Sequence, residues 1–191
     1  MNIWDAIKLI WAEFRKPTTA LSYTDLRPLI IKREHERLAK ICDIKKAEQF
    51  ARAVVFLYGF NPWAVFVQAW HESGAFRRVI GKHNYWGIKK PQNWAGMMVS
   101  VTTHEYVNGV KTKMVLDFLD FDNLAVALIW YSQFIARMYP NAYINRDNPE
   151  SFFMGLVNGK FQYATDPRYV PKLTALYHIL KKNIWLKETL K

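Results

Sequence analysis

A glutamate that follows an apolar, helix-forming segment is the residue of this sequence best placed to do chemistry. The apolar positions of the segment are Trp63, Val65, Phe66, Ala69 and Trp70. Glu72 comes next, and Gly74 follows two residues later. Burial beside large rings would raise the pKa of this carboxyl, so that it keeps a proton near neutral pH and can donate it. An exposed Glu72 in a last helical turn is equally compatible with the spacing.

A second carboxylate is predicted on a β-hairpin. Residues 97–107 and 110–118 are rich in Val, Thr and Tyr, and Asn108-Gly109 lies between them. This dipeptide is a strong hairpin signal because both turn residues need positive φ. Glu105 is therefore expected on a fixed strand, on the same face as Thr103. The alternative is a solvent-exposed strand residue.

A loop rich in basic and aromatic residues lies between these two segments. Residues 76–95 show no sustained period, and the stretch 84–90 reads NYWGIKK. This interleaving is typical of a loop that lines a carbohydrate or nucleic-acid groove. The alternative is that Trp86 anchors a long loop to the core.

Metal and nucleophile chemistry find little support in the sequence. His71-Glu72 begins like the zinc motif H-E-x-x-H, but Ala75 occupies the position of the second histidine. His83 and His104 lack any pattern of supporting residues, and the nucleophile motif G-x-S-x-G is absent. No metal or cofactor is therefore predicted.

Helices are expected to position the acid. Apolar residues at core spacing predict a helix over 44–57, which Gly59 ends. Asn61 is expected to cap the helix that carries Glu72, with Pro62 at its first position. Three helices are expected further along: 124–138 after Asp122-Asn123, one from Pro149 to Asn158-Gly159, and one opened by Asp166-Pro167 that continues through Leu180. Among the other carboxylates, Asp122 is expected to cap a helix, and Asp117 and Asp120 are expected to face solvent.

Length and composition indicate one folded domain with an anionic partner. The chain has 191 residues, 51% of them hydrophobic, which argues against disorder. Its single cysteine, Cys42, excludes an internal disulfide and a Cys-based zinc site. The formal charge of +11 is compatible with nucleic acid, an anionic membrane or the acidic bacterial cell wall.

The N-terminal segment is predicted to be an amphipathic helix. Residues 1–15 mix apolar and charged side chains, without the basic start, unbroken apolar centre or small-residue cleavage site of a signal peptide. We expect it to dock on its own domain, with membrane contact as the alternative. No apolar run in the sequence is long enough to span a bilayer.

Four motifs together resemble the glucosaminidases of glycoside hydrolase family 73. QAWHESGAF (68–76) resembles AQAxLESGWG, and NYWGIK (84–89) resembles NLFGIK. VTTHEYVNG (101–109) resembles TTxEYxNG, and YATDPRYVPKL (163–173) resembles YATDPxYAxKL. They occur in the order of the family and cover roughly residues 51–180, whereas the first 45 or so residues have no counterpart. Ala75-Phe76 departs from the usual Trp-Gly, and the interval from Gly74 to Asn84 is short.

The resemblance implies a fold and an activity. The fold is mainly α (α+β): a lysozyme-like helical domain with a small β-hairpin lobe that forms a substrate cleft. Residues 46–191 would form the catalytic domain, and residues 1–45 a helical extension packed on it. The implied activity is that of a peptidoglycan hydrolase, an endo-β-N-acetylglucosaminidase that cleaves the β-1,4 bond between N-acetylglucosamine and N-acetylmuramic acid.

The resemblance also assigns site residues. Glu72 matches the general acid, Glu105 the second glutamate, and Tyr163 a tyrosine that lines the cleft next to the acid. The expected substrate contacts are Asn84, Tyr85, Trp86, Trp94, His71 and Asp166. Glu105, beside His104 on a more exposed hairpin, suits the group that stays ionised. Inversion, retention and attack by the acetamido group of the sugar all stay open.

Other functions compete with this hypothesis. A muramidase or lytic transglycosylase would also use one protonated glutamate, and a non-catalytic wall-binding module would use the basic surface alone. The expected partner is the peptidoglycan glycan strand and not nucleic acid, for which no motif accompanies the charge. We expect a monomeric phage-type lysin, with a bacterial autolysin or a flagellar or conjugation-associated enzyme as alternatives. It would be made in the cytoplasm, released with help from a membrane or holin-type partner, and act at the cell wall.

Overall fold

The structure is a computed structural model that describes the backbone of residues 23–107 and 110–191. Side chains are described for these residues except 23–25, 104–107 and 111. The predicted amphipathic helix over 1–15 and the predicted Asn108-Gly109 turn lie outside the described residues. The predicted division of the chain after residue 45 stays a prediction.

The described elements are eight helices and two strands. The helices are α1 (Tyr23–Ala39), α2 (Ile44–Val54), α3 (Pro62–Glu72), α4 (Leu124–Met138), α5 (Pro140–Ile144), α6 (Pro149–Val157), α7 (Tyr169–Leu180) and α8 (Ile184–Thr189). The strands β1 (Met98–Val107) and β2 (Val110–Leu119) lie between α3 and α4 and form an antiparallel two-stranded sheet. The predicted fold class is confirmed. None of the helices in the described part is long and apolar enough to cross a membrane.

Asparagine caps set several helix starts, as local sequence predicts. The Asn61 side chain accepts a hydrogen bond from the Trp63 amide, and Pro62 is the first residue of α3. The expectation that Asp122 caps α4 is wrong, because Asn123 is the cap and accepts from the Val126 amide.

The start of the last long helix also differs from the prediction. Helix α7 begins at Tyr169, not directly after Pro167, and its N-cap residue makes no side-chain cap. Asp166 instead accepts a hydrogen bond of 2.9 Å from the Arg168 amide. The carboxylate therefore forms a local turn that precedes the helix.

Helix α3 is the centre of the core. Every residue from Trp63 to Trp70 is buried, including the polar Gln68. The helix packs against α2, α6 and α7, so no face of its middle turns meets solvent. Such an environment removes water from around the carboxyl at its last residue, Glu72.

The chain leaves α3 through an unusual backbone turn. Gly74, Ala75 and Phe76 have φ angles of 58°, 60° and 63°, and left-handed backbone is disfavoured for residues with a Cβ. Phe76 is fully buried against Phe50, with ring centroids 5.4 Å apart. The Ser73 hydroxyl fixes the turn, since it accepts a hydrogen bond from the Phe76 amide and donates one to the Ala69 carbonyl.

Loop 84–90 joins the hairpin to the helical body. The Leu119 amide donates to the Ile88 carbonyl, and the Lys90 amide donates to the Asp117 carbonyl. Asp120 was expected to face solvent, and this is wrong: it is 7% exposed and its Oδ1 accepts hydrogen bonds from the amides of Lys82, His83 and Phe121. Three backbone amides thus find their acceptor in one carboxylate.

Candidate active site

A cleft opens at the end of α3, where Glu72 is the last helical residue. Its volume is about 430 Å³, and Glu72 lies in its wall. The segment 86–89 also lines the cleft, together with Phe134, Tyr139 and Tyr163. The site is therefore built by α3, the loop that holds the hairpin, and the segments around α4 and α7.

Two surface depressions of about 560 and 520 Å³ also lie along α1, but their carboxylates are already paired. In the first, Glu48 contacts His35 Nε2 at 2.8 Å. In the second, Glu34 contacts Arg37 at 3.1 Å and Asn183 at 3.0 Å. Each of these two carboxylates is thus already bound to neighbouring side chains. The cleft at Glu72 is the better candidate for acid catalysis.

Two opposing effects act on the Glu72 carboxyl. Burial removes water from the charged form and raises the pKa of Glu72. The hydroxyl of Tyr169 donates a hydrogen bond of 2.6 Å to Oε1, which lowers the pKa by a smaller amount. The net pKa is raised. The carboxyl therefore keeps its proton to a higher pH than an exposed glutamate would.

The contact with Tyr169 belongs to a buried polar chain that the sequence interpretation missed. Gln68 Nε2 donates to the Tyr169 hydroxyl oxygen at 3.4 Å, and the Tyr131 hydroxyl donates to Gln68 Oε1. A sequence signal existed, because Gln68 lies one helical turn before Glu72 within an otherwise apolar segment. Nothing local in the sequence connects Tyr169 with Glu72.

Tyr163 lies in the cleft wall, in line with its expected position. Its hydroxyl donates to the Trp86 carbonyl oxygen at 2.8 Å and not to Glu72. Its ring stacks on the ring of Tyr169, with centroids 6.0 Å apart and an interplanar angle of 17°. Tyr163 thus supports both the loop at residue 86 and the tyrosine that contacts the acid.

The second predicted carboxylate lies only partly within the described structure. The backbone of Glu105 is in β1, opposite Thr112 of β2. The side chains of Glu105 and His104 lie outside the described residues. The role of Glu105 stays a prediction.

Two predicted substrate contacts are structural residues instead. Asn84 is 1% exposed, its Nδ2 donates to the carbonyls of Ile88 and Leu119 at 2.9 Å each, and its Oδ1 accepts from the Ile88 amide. Tyr85 is also 1% exposed, and its ring packs on Phe50 with centroids 4.8 Å apart. Neither side chain has a free surface for a sugar, because the loop uses both to attach itself to the core.

The two tryptophans predicted as substrate contacts differ in position. Trp86 lines the cleft, but one ring face stacks on Tyr131 at 4.1 Å and 13°, so a sugar can meet only its remaining surface. Trp94 donates through Nε1 to the Met97 carbonyl and packs on Trp130, with centroids 5.8 Å apart. It is not among the residues that line the cleft.

His71 and Asp166 lie near Tyr169 but do not line the cleft. The His71 ring meets the edge of Tyr169, with centroids 5.5 Å apart, and burial lowers the pKa of His71. Asp166 forms an ion pair of 2.6 Å with Lys172, and this hydrogen bond is the main cause that lowers its pKa to about 2. Asp166 is thus an ionised residue that fixes the start of α7.

The described residues offer no obvious metal centre. No group of three or more His, Cys, Asp or Glu side chains comes together within the part of the chain that the structure describes. The chemistry available at the cleft is proton transfer by Glu72, beside hydroxyl and aromatic groups.

Comparison with known proteins agrees with acid catalysis at this cleft. A sequence model of the glucosaminidase family, described as mannosyl-glycoprotein endo-beta-N-acetylglucosaminidase, matches residues 48–182. The peptidoglycan hydrolase FlgJ of Salmonella typhimurium is 32% identical over 124 residues, which are 61% of this chain and 39% of that protein. The chain therefore spans less than half the length of this relative.

Solved structures share the fold. The C-terminally truncated glycoside hydrolase domain of Salmonella typhimurium FlgJ superposes with a TM-score of 0.55 at 28% identity, covering 71% of this chain and 98% of that domain. A mutant of the peptidoglycan hydrolase from Sphingomonas sp. A1 superposes with a TM-score of 0.56 at 25% identity, covering 76% of this chain and 92% of that chain.

Proposed function

The chain belongs to the glucosaminidase family, and on that premise we propose that it is a peptidoglycan hydrolase that acts as an endo-β-N-acetylglucosaminidase. Family membership confirms the resemblance that the four motifs carry. The observation that best supports the activity is the Glu72 carboxyl, which lines the cleft with its pKa raised by burial.

Glu72 is the proposed general acid. Cleavage of a glycosidic bond passes through an oxocarbenium-like state, in which the leaving oxygen must receive a proton. A carboxyl with a raised pKa holds that proton to a higher pH than an exposed glutamate does. The bond proposed for cleavage is the β-1,4 bond between N-acetylglucosamine and N-acetylmuramic acid.

Glu105 is the proposed second carboxylate. It would act as base, nucleophile or electrostatic stabiliser at the anomeric carbon, while the acetamido group of the substrate offers a third route. Its strand is attached to the cleft through β2, because the Leu119 amide donates to the Ile88 carbonyl and Ile88 lines the cleft. Backbone hydrogen bonds thus connect the hairpin to the loop that lines the cleft beside Glu72.

The positive charge suits the proposed substrate. Peptidoglycan carries carboxylates on its stem peptides, and the formal charge of +11 attracts such a polymer. We propose that the protein acts at the cell wall as a monomer. A membrane or holin-type delivery partner remains part of the proposal.

The test is a product analysis. Purified peptidoglycan is digested with the protein, and the fragments are reduced and identified by mass spectrometry. We expect N-acetylglucosamine at the new reducing ends. Reducing N-acetylmuramic acid would instead identify a muramidase, and anhydro-muramic ends a lytic transglycosylase. Binding to the wall without any cleavage would favour a non-catalytic wall-binding module.

A further inference from the structure

A chain of buried hydrogen bonds leads to one oxygen of the Glu72 carboxyl. It begins at Tyr131 on α4, passes through Gln68 on α3, and reaches Glu72 through Tyr169 on α7. Tyr131 and Gln68 are fully buried, and Tyr169 is 4% exposed. Buried polar groups at the centre of a core need a reason, since an apolar core of the same shape would avoid the cost of desolvating them.

The direction of the chain is fixed by its donors. The Tyr131 hydroxyl donates to Gln68 Oε1, so the amide nitrogen of Gln68 faces Tyr169 and donates to its hydroxyl oxygen. With that oxygen engaged as an acceptor, the Tyr169 hydrogen points to Glu72 Oε1. Every donor in the chain therefore points toward the carboxyl.

We propose that Tyr169 is a positioning residue that distinguishes the two oxygens of Glu72, so that Oε1 accepts from the protein and Oε2 carries the proton for the substrate. A carboxyl whose Oε1 accepts a strong hydrogen bond holds its own proton on the other oxygen, since a hydrogen on Oε1 would be crowded by the tyrosine hydrogen. The proposal rests on the proposed role of Glu72 as the general acid.

The environment of Tyr169 keeps it a donor. Burial raises the pKa of the Tyr169 phenol well above its ordinary value, and the neighbouring Glu72 charge raises it further. The phenol thus stays protonated throughout the pH range in which a glycosidase works. After proton transfer, the same hydrogen bond stabilises the Glu72 carboxylate, because hydrogen bonds to an ionised acceptor are the stronger ones.

The variant Tyr169→Phe separates positioning from packing. It keeps the ring that stacks on Tyr163 and removes only the hydroxyl. The loss of a bond that favours the ionised carboxyl must raise the pKa of Glu72, so the alkaline limb of the pH–rate profile moves to higher pH. We also expect kcat to fall about tenfold, the scale of one hydrogen bond to a charged group.

Tyr177→Phe is the matched control. Tyr177 lies on the same helix, and its hydroxyl accepts from Lys181 Nζ at 2.7 Å, remote from Glu72. We expect wild-type kcat and an unmoved alkaline limb. If Tyr169→Phe reduces kcat but leaves the limb in place, Tyr169 is only a packing residue and the proposal is overturned.

A direct titration keeps this test independent of the proposed activity. The Glu72 carboxyl is followed by NMR in protein carrying ¹³C-labelled glutamate, with the resonance assigned by Glu72→Gln. We expect a higher pKa in Tyr169→Phe than in the wild type, whether or not the protein cleaves peptidoglycan. An unchanged pKa refutes the positioning role, whereas a raised pKa in a protein without glycosidase activity refutes only the proposed function.

A second variant covers the case in which Tyr169→Phe does not fold. Gln68→Met has a similar volume and removes the donor that orients the Tyr169 hydroxyl. We expect the Glu72 pKa to rise in this variant as well. An unchanged Glu72 pKa in folded Gln68→Met would show that the chain does not orient the hydroxyl, which overturns the proposal.

Discussion

The hydroxyl of Tyr169 lies 2.6 Å from Glu72 Oε1, although the two residues are 97 positions apart in the sequence. Glu72 ends α3, and Tyr169 begins α7. The hydrogen bond to the acid therefore depends on the docking of α7 on α3. This explains why a motif near the end of the chain, YATDPRYVPKL, matters for a carboxyl in its first half.

Glu72→Gln should abolish most of the activity without loss of stability. We expect the rate of wall clearing to fall at least ~10²-fold, the usual contribution of a general acid. Stability should be unchanged or higher at neutral pH, because the variant no longer carries a carboxylate that burial disfavours. Turbidity assays and urea unfolding measure the two effects. Glu150→Gln is the control, since that glutamate is 53% exposed and lies on α6.

The raised pKa of Glu72 also predicts how stability depends on pH. A carboxyl whose pKa is higher in the folded state stabilises the fold at pH below the pKa in the unfolded chain. This contribution is lost as the pH rises through the folded pKa. The wild type should therefore lose stability relative to Glu72→Gln as the pH rises from 4 to 8, so the difference in the free energy of unfolding should shift in favour of the variant. A difference that stays constant across this range would contradict the raised pKa.

The left-handed backbone at Phe76 predicts an unusual order of stabilities. Removal of this fully buried ring should cost about 3–5 kcal/mol in Phe76→Ala. Phe76→Gly loses the same ring, but it relieves about 1–2 kcal/mol of strain at a φ of 63°. Glycine should thus be at least as well tolerated as alanine, whereas in regular structure it costs about 0.5–1 kcal/mol more. Thermal unfolding of the two variants decides this, and a clearly less stable glycine variant would contradict it.

Substitution of Asn84 is expected to reduce the stability of the fold and not the binding of the sugar. In Asn84→Ala, the Ile88 amide loses its acceptor and the Leu119 carbonyl loses its side-chain donor, whereas the Ile88 carbonyl keeps the Leu119 amide as a donor. Each unsatisfied buried group costs about 1–3 kcal/mol. We expect the midpoint temperature of unfolding to fall markedly. At temperatures where the variant is still folded, KM should change little. A raised KM in a variant of wild-type stability would restore Asn84 as a substrate contact.

Features set by neighbouring residues could be predicted from the sequence. The cap at Asn61, the proline at position 62 and the two strands of the hairpin depend on interactions within a few positions. The resemblance to the glucosaminidase family gave the fold class, which the structure confirms. It also gave Glu72 as the acid, and the cleft position and raised pKa of Glu72 support that prediction.

Features set by distant contacts could not be predicted. Asp120 appeared to be a surface residue because nothing in the sequence shows that the amides of Lys82 and His83 require an acceptor there. Tyr85 was expected on the cleft surface because an aromatic residue in a loop has the same local sequence whether it faces a sugar or the core. The partnership of Tyr169 with Glu72 depends on the docking of helices that are far apart in the chain.

Glu105 provides the last prediction, on the division of labour between two carboxylates. If it acts as base, nucleophile or stabiliser, Glu105→Gln should reduce kcat by about 10²-fold or more, with the product linkage unchanged. Thr112→Ala is the control, because Thr112 is the partner of Glu105 across the hairpin and should leave kcat unaffected. The double variant Glu72→Gln/Glu105→Gln should lose less than the product of the two single losses, since residues that act as a unit are not additive. A loss below about tenfold in Glu105→Gln would instead leave the reaction at the anomeric carbon to the acetamido group of the substrate.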